Sequence, residues 1–533
     1  MNKGINKSIQ LAAFAGLLCL CLASCSNPLA SVLETKLGEV NDKALKSIQI
    51  KVATAETYSV FPLPLTFDPE VTEYTINGDS LIWSATASAV LDDLDAKLEW
   101  KAGSGSWTSM VSGTETAAFD VNPGTTSITF RVTPQSGHDP RIYTVKLAVP
   151  EFGAGSPAVL TDPNPLGGGL FGNSVDISDD GLTMAVGGDS RGQAEQKNVY
   201  IYSRTSIDDS WSRTATISLG GTQAVSSIAL SGDGSTFVIG DVPNDKAYVY
   251  RHSGGVWPAS PDATLAPTVS NESFGCCASL SYNGSVIAVG AETANNLAGN
   301  SQNGAVYVFS STNWGTSSKI LSPNTTVAAN QSKFGHAAAI SGNGNVLVAG
   351  SPYYSTIVAG DGAVYIYKKD TNWPAGADYV PTIGGLVANA NYGLGVDINY
   401  DGSLVLAGAP GDSAGLALLF SVTDNTAVGI IKPANGTAGD CFGASVSLSS
   451  DGAHAAVGAY GYSGNSGKAY VYDTSASSCV LSREYDNPHP VANDYFGSSL
   501  SLSSGTAPCL SVGDKCAKYK TVSQQGVVYA FRP

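Results

Sequence analysis

The sequence predicts an all-β chain: a small β-sandwich followed by a ring of seven four-stranded sheets. Three observations lead there. The 533 residues include 60 Gly and 24 Tyr but only 3 Met and 5 His, a balance that suits tight turns and aromatic strands better than helices. From residue 171 onward a unit with a mean period of about 54 residues returns seven times. The last unit stops one strand short, while a spare strand-like segment stands upstream of the first.

Taken from the N-terminus, Lys3 and Lys7 precede an apolar run from Leu11 to Leu22. The run is too short to span a bilayer as a finished helix and reads as a signal peptide over 1–24. It ends in Leu22, Ala23, Ser24 and Cys25, which resembles the lipobox of bacterial lipoproteins. That resemblance implies cleavage before Cys25 and lipidation of Cys25, with the exported protein held at a membrane, the outer membrane or cell surface, by lipid alone. Residues 25–44 then read as a tether.

Residues 45–148 carry the alternation Leu45, Ile48, Ile50, Val52, then Tyr74 and Ile76, and a last strand from Tyr143 to Leu147. Short strands between turn signals predict a sandwich, with Trp83, Trp100 and Trp107 expected in its core. The pattern resembles bacterial cadherin-like β-sandwich domains. Residues 149–156, with Gly153 and Gly155, read as a hinge.

The repeat occupies 157–533. Each unit opens on an aromatic residue or its equivalent: Phe171, Ala224, Phe274, Phe334, Tyr392, Phe442 and Phe496. Six residues on stands a large aliphatic (Ile177, Leu230, Leu280, Ile340, Ile398, Leu448, Leu502), with small or polar residues alternating around it. Asp-Gly or Asn-Gly follows in six units, as at Asp180 and Gly181, and signals a hairpin. A second strand ends in glycine, and a third carries the aromatics of Tyr200 and Tyr202 or Tyr470 and Tyr472. Trp211, Trp257, Trp314 and Trp373 are expected to open fourth strands. Four antiparallel strands in each of seven units describe a seven-bladed β-propeller. The final unit ends after its third strand, so 157–162 is expected to pair with 526–531 and close the ring, hiding two sheet edges.

These units resemble FG-GAP repeats, carried by the Phe-Gly starts at Phe171, Phe274, Phe334, Phe442 and Phe496 and by Gly408, Ala409 and Pro410. Integrin α heads and many bacterial surface proteins are built from such repeats, which implies adhesion or recognition. Family members also carry calcium loops, and Asp176, Ser178, Asp180 and Asp397, Asn399, Asp401 approximate them. Both hairpins are about four residues short, and Val405 stands where a later acidic ligand would fall, so plain turns and no metal are expected.

Other chemistry is weak. Gly188 to Gly192 and Gly411 to Gly415 fit Gly-x-Ser-x-Gly, but two copies in equivalent loops with no following helix read as turns. The five His are scattered. Six cysteines follow the signal and lipid cysteines; Cys441–Cys479 and Cys509–Cys516 are the favoured pairs, whereas strand alternation puts Cys276 and Cys277 on opposite faces. A net charge of −16 argues against nucleic acid as partner. What remains is the variable loop between second and third strands, where Asp189, Asn295, Asn296, Tyr353, Tyr354, Asp412, Tyr460 and Tyr462 are the candidate ligand-binding residues. The expected function is noncatalytic binding of a protein or glycan, with no cofactor. The alternatives are an envelope assembly scaffold facing the periplasm and, less favoured, a carbohydrate-active enzyme using Asp176 and Asp397.

Overall fold

The computed structural model describes residues 44–532, apart from 55–59, 63–66, 78–81, 122–123, 150–156, 163–169, 189–197, 221–224, 296–302, 324–330, 356, 375–376, 379, 381–385, 476–478 and 518–524. The signal segment, Cys25, the tether up to residue 43 and the hinge from residue 150 therefore lie outside the described residues, while Ala44 is buried and Val149, expected in the hinge, ends a strand of the sandwich. The chain divides into two compact units, Met1–Gly153 and Ala154–Pro533.

The first unit is a two-sheet sandwich. One sheet orders Val60–Pro62, Leu45–Thr54, Ile82–Leu91 and Phe119–Asp120; the other orders Glu73–Asn77, Arg141–Val149, Gly124–Thr133, Lys97–Ala102 and Thr108–Ser109. The pairing of Glu73–Asn77 with Arg141–Val149 is parallel. The core holds Ile48, Ile50, Ala87, Phe130, Tyr143 and Val145. The tryptophans depart from expectation. Trp100 only flanks this core, beside Phe119, and Trp107 lies under Arg131 and Lys101. Trp83 offers no described side chain. An indole can stack under cations at the rim, where water still reaches the charge.

The second unit is the propeller. Among the described residues it holds seven sheets, and their innermost strands follow one another around a closed ring. A circuit of hydrogen bonds at the hairpin ends shows this directly. Asp179 N–H donates to Gly232 O, Asp233 N–H to Tyr282 O, Tyr282 N–H to Gly342 O, Asn343 N–H to Tyr400 O and Tyr400 N–H to Ser450 O, each at 2.9 Å. Ser450 N–H then reaches Ser504 Oγ at 2.8 Å, and Ser504 N–H returns to Asp179 O at 2.8 Å. Every sheet gives to the next in the same direction.

Closure occurs in the seventh sheet. Ala158–Thr161 pairs antiparallel with Val527–Phe531, Ala158 facing Ala530 and Thr161 facing Val527. Phe171 N–H also donates to Gln525 O at 2.9 Å. Six sheets have four strands, but the fourth blade has three among the described residues, and Trp373 opens no described strand of that blade. Trp211 and Trp257 precede their fourth strands, Ser212–Ser218 and Ala263–Leu265, rather than opening them.

The repeat motif is a seam between blades. Each leading Phe packs against third-strand aromatics of its own blade, as Phe442 does edge-on to Tyr470 and Tyr472. The glycine after it has positive φ (+94° at Gly443) within a bulge of the ladder, a conformation that only glycine adopts without strain. Its carbonyl presses on the second-strand glycine of the preceding blade: a Cβ on Gly458 would sit 2.1 Å from Gly497 O, and one on Gly240 2.1 Å from Gly275 O. Serines latch the same carbonyls, with Ser227 Oγ to Gly275 O at 2.9 Å, Ser445 Oγ to Gly497 O at 2.7 Å and Ser499 Oγ to Gly172 O at 2.7 Å.

Candidate functional site

Because strands alternate in direction, the loops between second and third strands and the connectors between blades emerge on one face, and the hairpins on the other. The ring encloses an axial cavity of about 220 Å³, lined by residues of all seven innermost strands, including Asp176, Asp397, Ser447 and Ser501.

Asp176 and Asp397 face this cavity. Burial comes first among the influences on both and pushes the carboxyls up, Asp176 to about 6 and Asp397 to about 7. Their oxygens are nevertheless committed to the seams. Asp176 Oδ2 accepts Leu230 N–H at 2.7 Å, and Oδ1 accepts Ser501 O–H at 2.6 Å and Ile177 N–H at 3.0 Å. Asp397 Oδ2 accepts Leu448 N–H at 2.7 Å and Oδ1 accepts Ile398 N–H at 2.8 Å. At the equivalent position Ser279 Oγ accepts Ile340 N–H at 3.0 Å and Ser447 Oγ accepts Leu502 N–H at 3.2 Å. Where serine does the same work, the carboxylates act as bridges between blades.

The calcium-like hairpins are turns. Asp180 Oδ1 accepts Ser178 O–H at 2.6 Å and Leu182 N–H at 2.9 Å, while Asp176 reaches the next blade, so the acids do not converge. Among the described residues no group of three or more His, Cys, Asp or Glu could hold a metal ion. In the described Gly-x-Ser-x-Gly copy, Gly415 N–H closes on Asp412 O at 2.6 Å and Ser413 has φ 53°, a turn geometry.

The loop face gathers mixed chemistry. Glu292, after the second strand of blade 3, accepts from His336 Nδ1 at 2.6 Å and pairs with Lys333 at 3.2 Å, both at the start of blade 4. Together these partners hold Glu292 below the usual carboxylate range, against the effect of burial. Tyr353, 45% exposed, packs edge-on to His336 at 6.3 Å with the Lys333 ammonium 5.5 Å from its ring. Further round, Tyr460 lies 5.9 Å from Tyr495, and Lys515 stands 5.7 Å over Tyr495. Burial, and next the Cys441 thiol, push the Tyr460 phenol up to about 12, with Tyr495 and Tyr353 adding to the shift.

The eight candidate residues therefore divide. Tyr353 and Tyr460 belong to this cluster. Tyr354 packs on the core between blades 3 and 4, and Tyr462 on the core between blades 5 and 6, under Lys468. Asp412 sits in its turn, Asn295 is exposed, and Asp189 and Asn296 lie outside the described residues. Sequence reasoning missed Glu292, Lys333, Tyr495 and Lys515. For Lys333 and Tyr495 the sequence held one signal, their register just before the leading aromatic; the residue there has positive φ in six blades (Leu170, Ser273, Lys333, Asn391, Cys441, Tyr495) and so recurs at a fixed place on this face.

The expected disulfides do not form: none of the six described cysteines is bonded to another. Cys509 and Cys516 flank the strand Leu510–Asp514, which at about 3.3 Å per residue separates them far beyond bonding reach. Instead the Cys509 sulfur accepts from the Arg204 guanidinium at 2.8 Å. Cys441 precedes the innermost strand of blade 6 and Cys479 its outermost, three strand spacings of about 4.8 Å apart. Cys276 and Cys277 lie on one side, not two, because the bulge after Phe274 interrupts the alternation.

Two family models match parts of the chain. Residues 426–472 match the family model for the FG-GAP repeat, and residues 45–149 match that for a cadherin-like beta sandwich domain. The β-propeller domain of Myceliophteria thermophila Cps50 (Swd1) is 13% identical, covering 70% of this chain and all of that one, with a TM-score of 0.46. The RRP9 WD40 repeats are 11% identical, covering 71% of this chain and 98% of that one (TM-score 0.47). Kuenenia stuttgartiensis hydrazine synthase is 13% identical, covering 66% and 94% (TM-score 0.42). No curated protein matches the chain. The chain is an all-β protein with a cadherin-like domain over 45–149 and, within its propeller, an FG-GAP repeat over 426–472, an architecture consistent with binding or recognition.

Proposed function

We propose that the protein is a noncatalytic recognition protein, exported and held at the outer membrane or cell surface by lipid on Cys25, whose propeller binds a protein or glycan. The observation that carries this reading is the loop-face cluster of Tyr353, Tyr460 and Tyr495 with Glu292, Lys333 and His336. Aromatic faces beside fixed charges on a rigid ring offer stacking surface and oriented hydrogen bonds at small entropic cost. The two axial aspartates support the noncatalytic part, since backbone donors of neighbouring strands already occupy their oxygens.

The test is an array of glycans and extracellular proteins probed with the full chain and with Tyr353→Ala and Tyr460→Ala. A ligand bound by the parent and lost by at least tenfold in both variants supports the reading, since hot-spot aromatics cost about 2 kcal/mol or more. A ligand that binds all three alike puts recognition elsewhere. Turnover of chromogenic glycosides that Asp176→Asn abolishes would replace the reading with an enzymatic one.

A further inference from the structure

Cys276 and Cys277 occupy the bulge that opens the first strand of blade 3. The ladder pairs Phe274 with Ala291 and resumes only at Ala278 with Val289. Across this gap both sulfurs turn the same way. Each reaches Gly335 O in blade 4 at 3.3 Å, and both lie within 3.0 Å of the point where a Cβ on Gly290 would stand. Other seams make this contact with one serine hydroxyl, from Ser227, Ser445 or Ser499. One donor is enough to latch two blades, so the seam itself does not call for the second thiol. Both cysteines are part-exposed, whereas Cys509 is buried.

We propose that Cys276 and Cys277 are a modification site: a vicinal dithiol reversibly oxidised to an internal disulfide by small-molecule or protein disulfides. One thiolate attacks a sulfur of the oxidant, forming a mixed disulfide and releasing a thiolate. The second cysteine thiolate then attacks the protein sulfur of that mixed disulfide and expels the remaining half of the oxidant. The protein loses two electrons, the oxidant gains them, and the two cysteine protons pass to the released thiolates. Convergence of the two sulfurs makes the second step intramolecular and fast. A bond between adjacent residues is strained, hence readily reduced. Oxidation also removes both S–H donors from Gly335 O, so the seam between blades 3 and 4 loosens when the bond forms. The hydrogen bond with Cys277, and then burial, hold the Cys276 thiol well above its usual range, so the reaction quickens as pH rises.

The experiment exposes the full chain to oxidised glutathione, alkylates it with iodoacetamide and maps its peptides by mass. The peptide bearing both cysteines is expected to lose two hydrogens and resist alkylation until reduced. Cys276→Ser and Cys277→Ser are each expected to retain a glutathione adduct on the remaining cysteine. Both variants keep a hydroxyl for Gly335 O, as Ser227 does at its seam, and so preserve the fold. A parent that accumulates the adduct like the variants, or whose two thiols remain fully alkylatable after exposure, overturns the proposal.

Discussion

Gly458→Ala puts the seam to a steric test. Gly458 lies outside the positive-φ region, so alanine brings no backbone strain, and the whole effect comes from the new methyl group. That methyl would stand 2.1 Å from Gly497 O and 2.3 Å from Ser445 Oγ. Blades 6 and 7 must then separate by about 1 Å, at a cost of roughly 1–3 kcal/mol for overpacking a dense interior. The Ser445 to Gly497 bond, 2.7 Å long, is lost as well, adding about 1 kcal/mol. The sum of roughly 3 kcal/mol acts on a unit whose unfolding entropy is about 0.8 kcal/mol/K at its length, so Tm falls by about 4 °C. Differential scanning calorimetry reads this, with Gly220→Ala as the control because a Cβ there meets nothing within 4 Å. If the two variants melt together, the account of the glycines as seam contacts is wrong.

Three other outcomes follow from the same structure. Lys319 neutralises the buried Glu272, its Nζ 2.6 Å from Oε1, so Lys319→Met is expected to cost about 3 kcal/mol in denaturant unfolding, largely recovered by adding Glu272→Gln; a single variant within about 0.5 kcal/mol of the parent contradicts this. Asp176 and Asp397 hold their protons to about 6 and about 7 when folded but release them near 4 when unfolded. The folded state therefore binds the extra protons, and this contribution to stability falls as pH rises from about 4 to 7. Tm is expected to rise on going from pH 8 to pH 5, and Asp176→Asn with Asp397→Asn should flatten that rise; an unchanged slope would remove these groups from the account. In the sandwich, Tyr143 O–H donates to Pro69 O at 3.0 Å and accepts Leu45 N–H at 3.3 Å; Tyr143→Phe should speed exchange of the Leu45 amide about tenfold, and an unaltered rate would show that the amide gains nothing from the phenol.

The ring was legible because its determinants are local and repeated. Leading aromatic, aliphatic six residues on, hairpin pair and closing glycine all recur within one unit, and the missing last strand announced the closing segment. What escaped the sequence depends on interruptions of alternation and on neighbours in other blades. The bulge after Phe274 turned Cys277 to the side of Cys276, which a period of two cannot anticipate. The chemistry of the loop face joins Glu292 of one blade to Lys333 and His336 of the next. No unit carries that set alone. Tyr353 and Tyr460 were found because they stand in variable loops, whereas Lys333 and Tyr495 were passed over because each adjoins a motif that drew attention to its aromatic.

Hydrogen–deuterium exchange resolved by peptide mass tests the closed ring most directly. If Ala158–Thr161 is the outer strand of the final sheet, the amides that it pairs exchange as slowly as those of Val527–Phe531, and both segments lose protection together when the chain is cut between Thr161 and Phe171. Rapid exchange over 158–161 beside a protected 527–531 would mean that the ring is not closed by this strand.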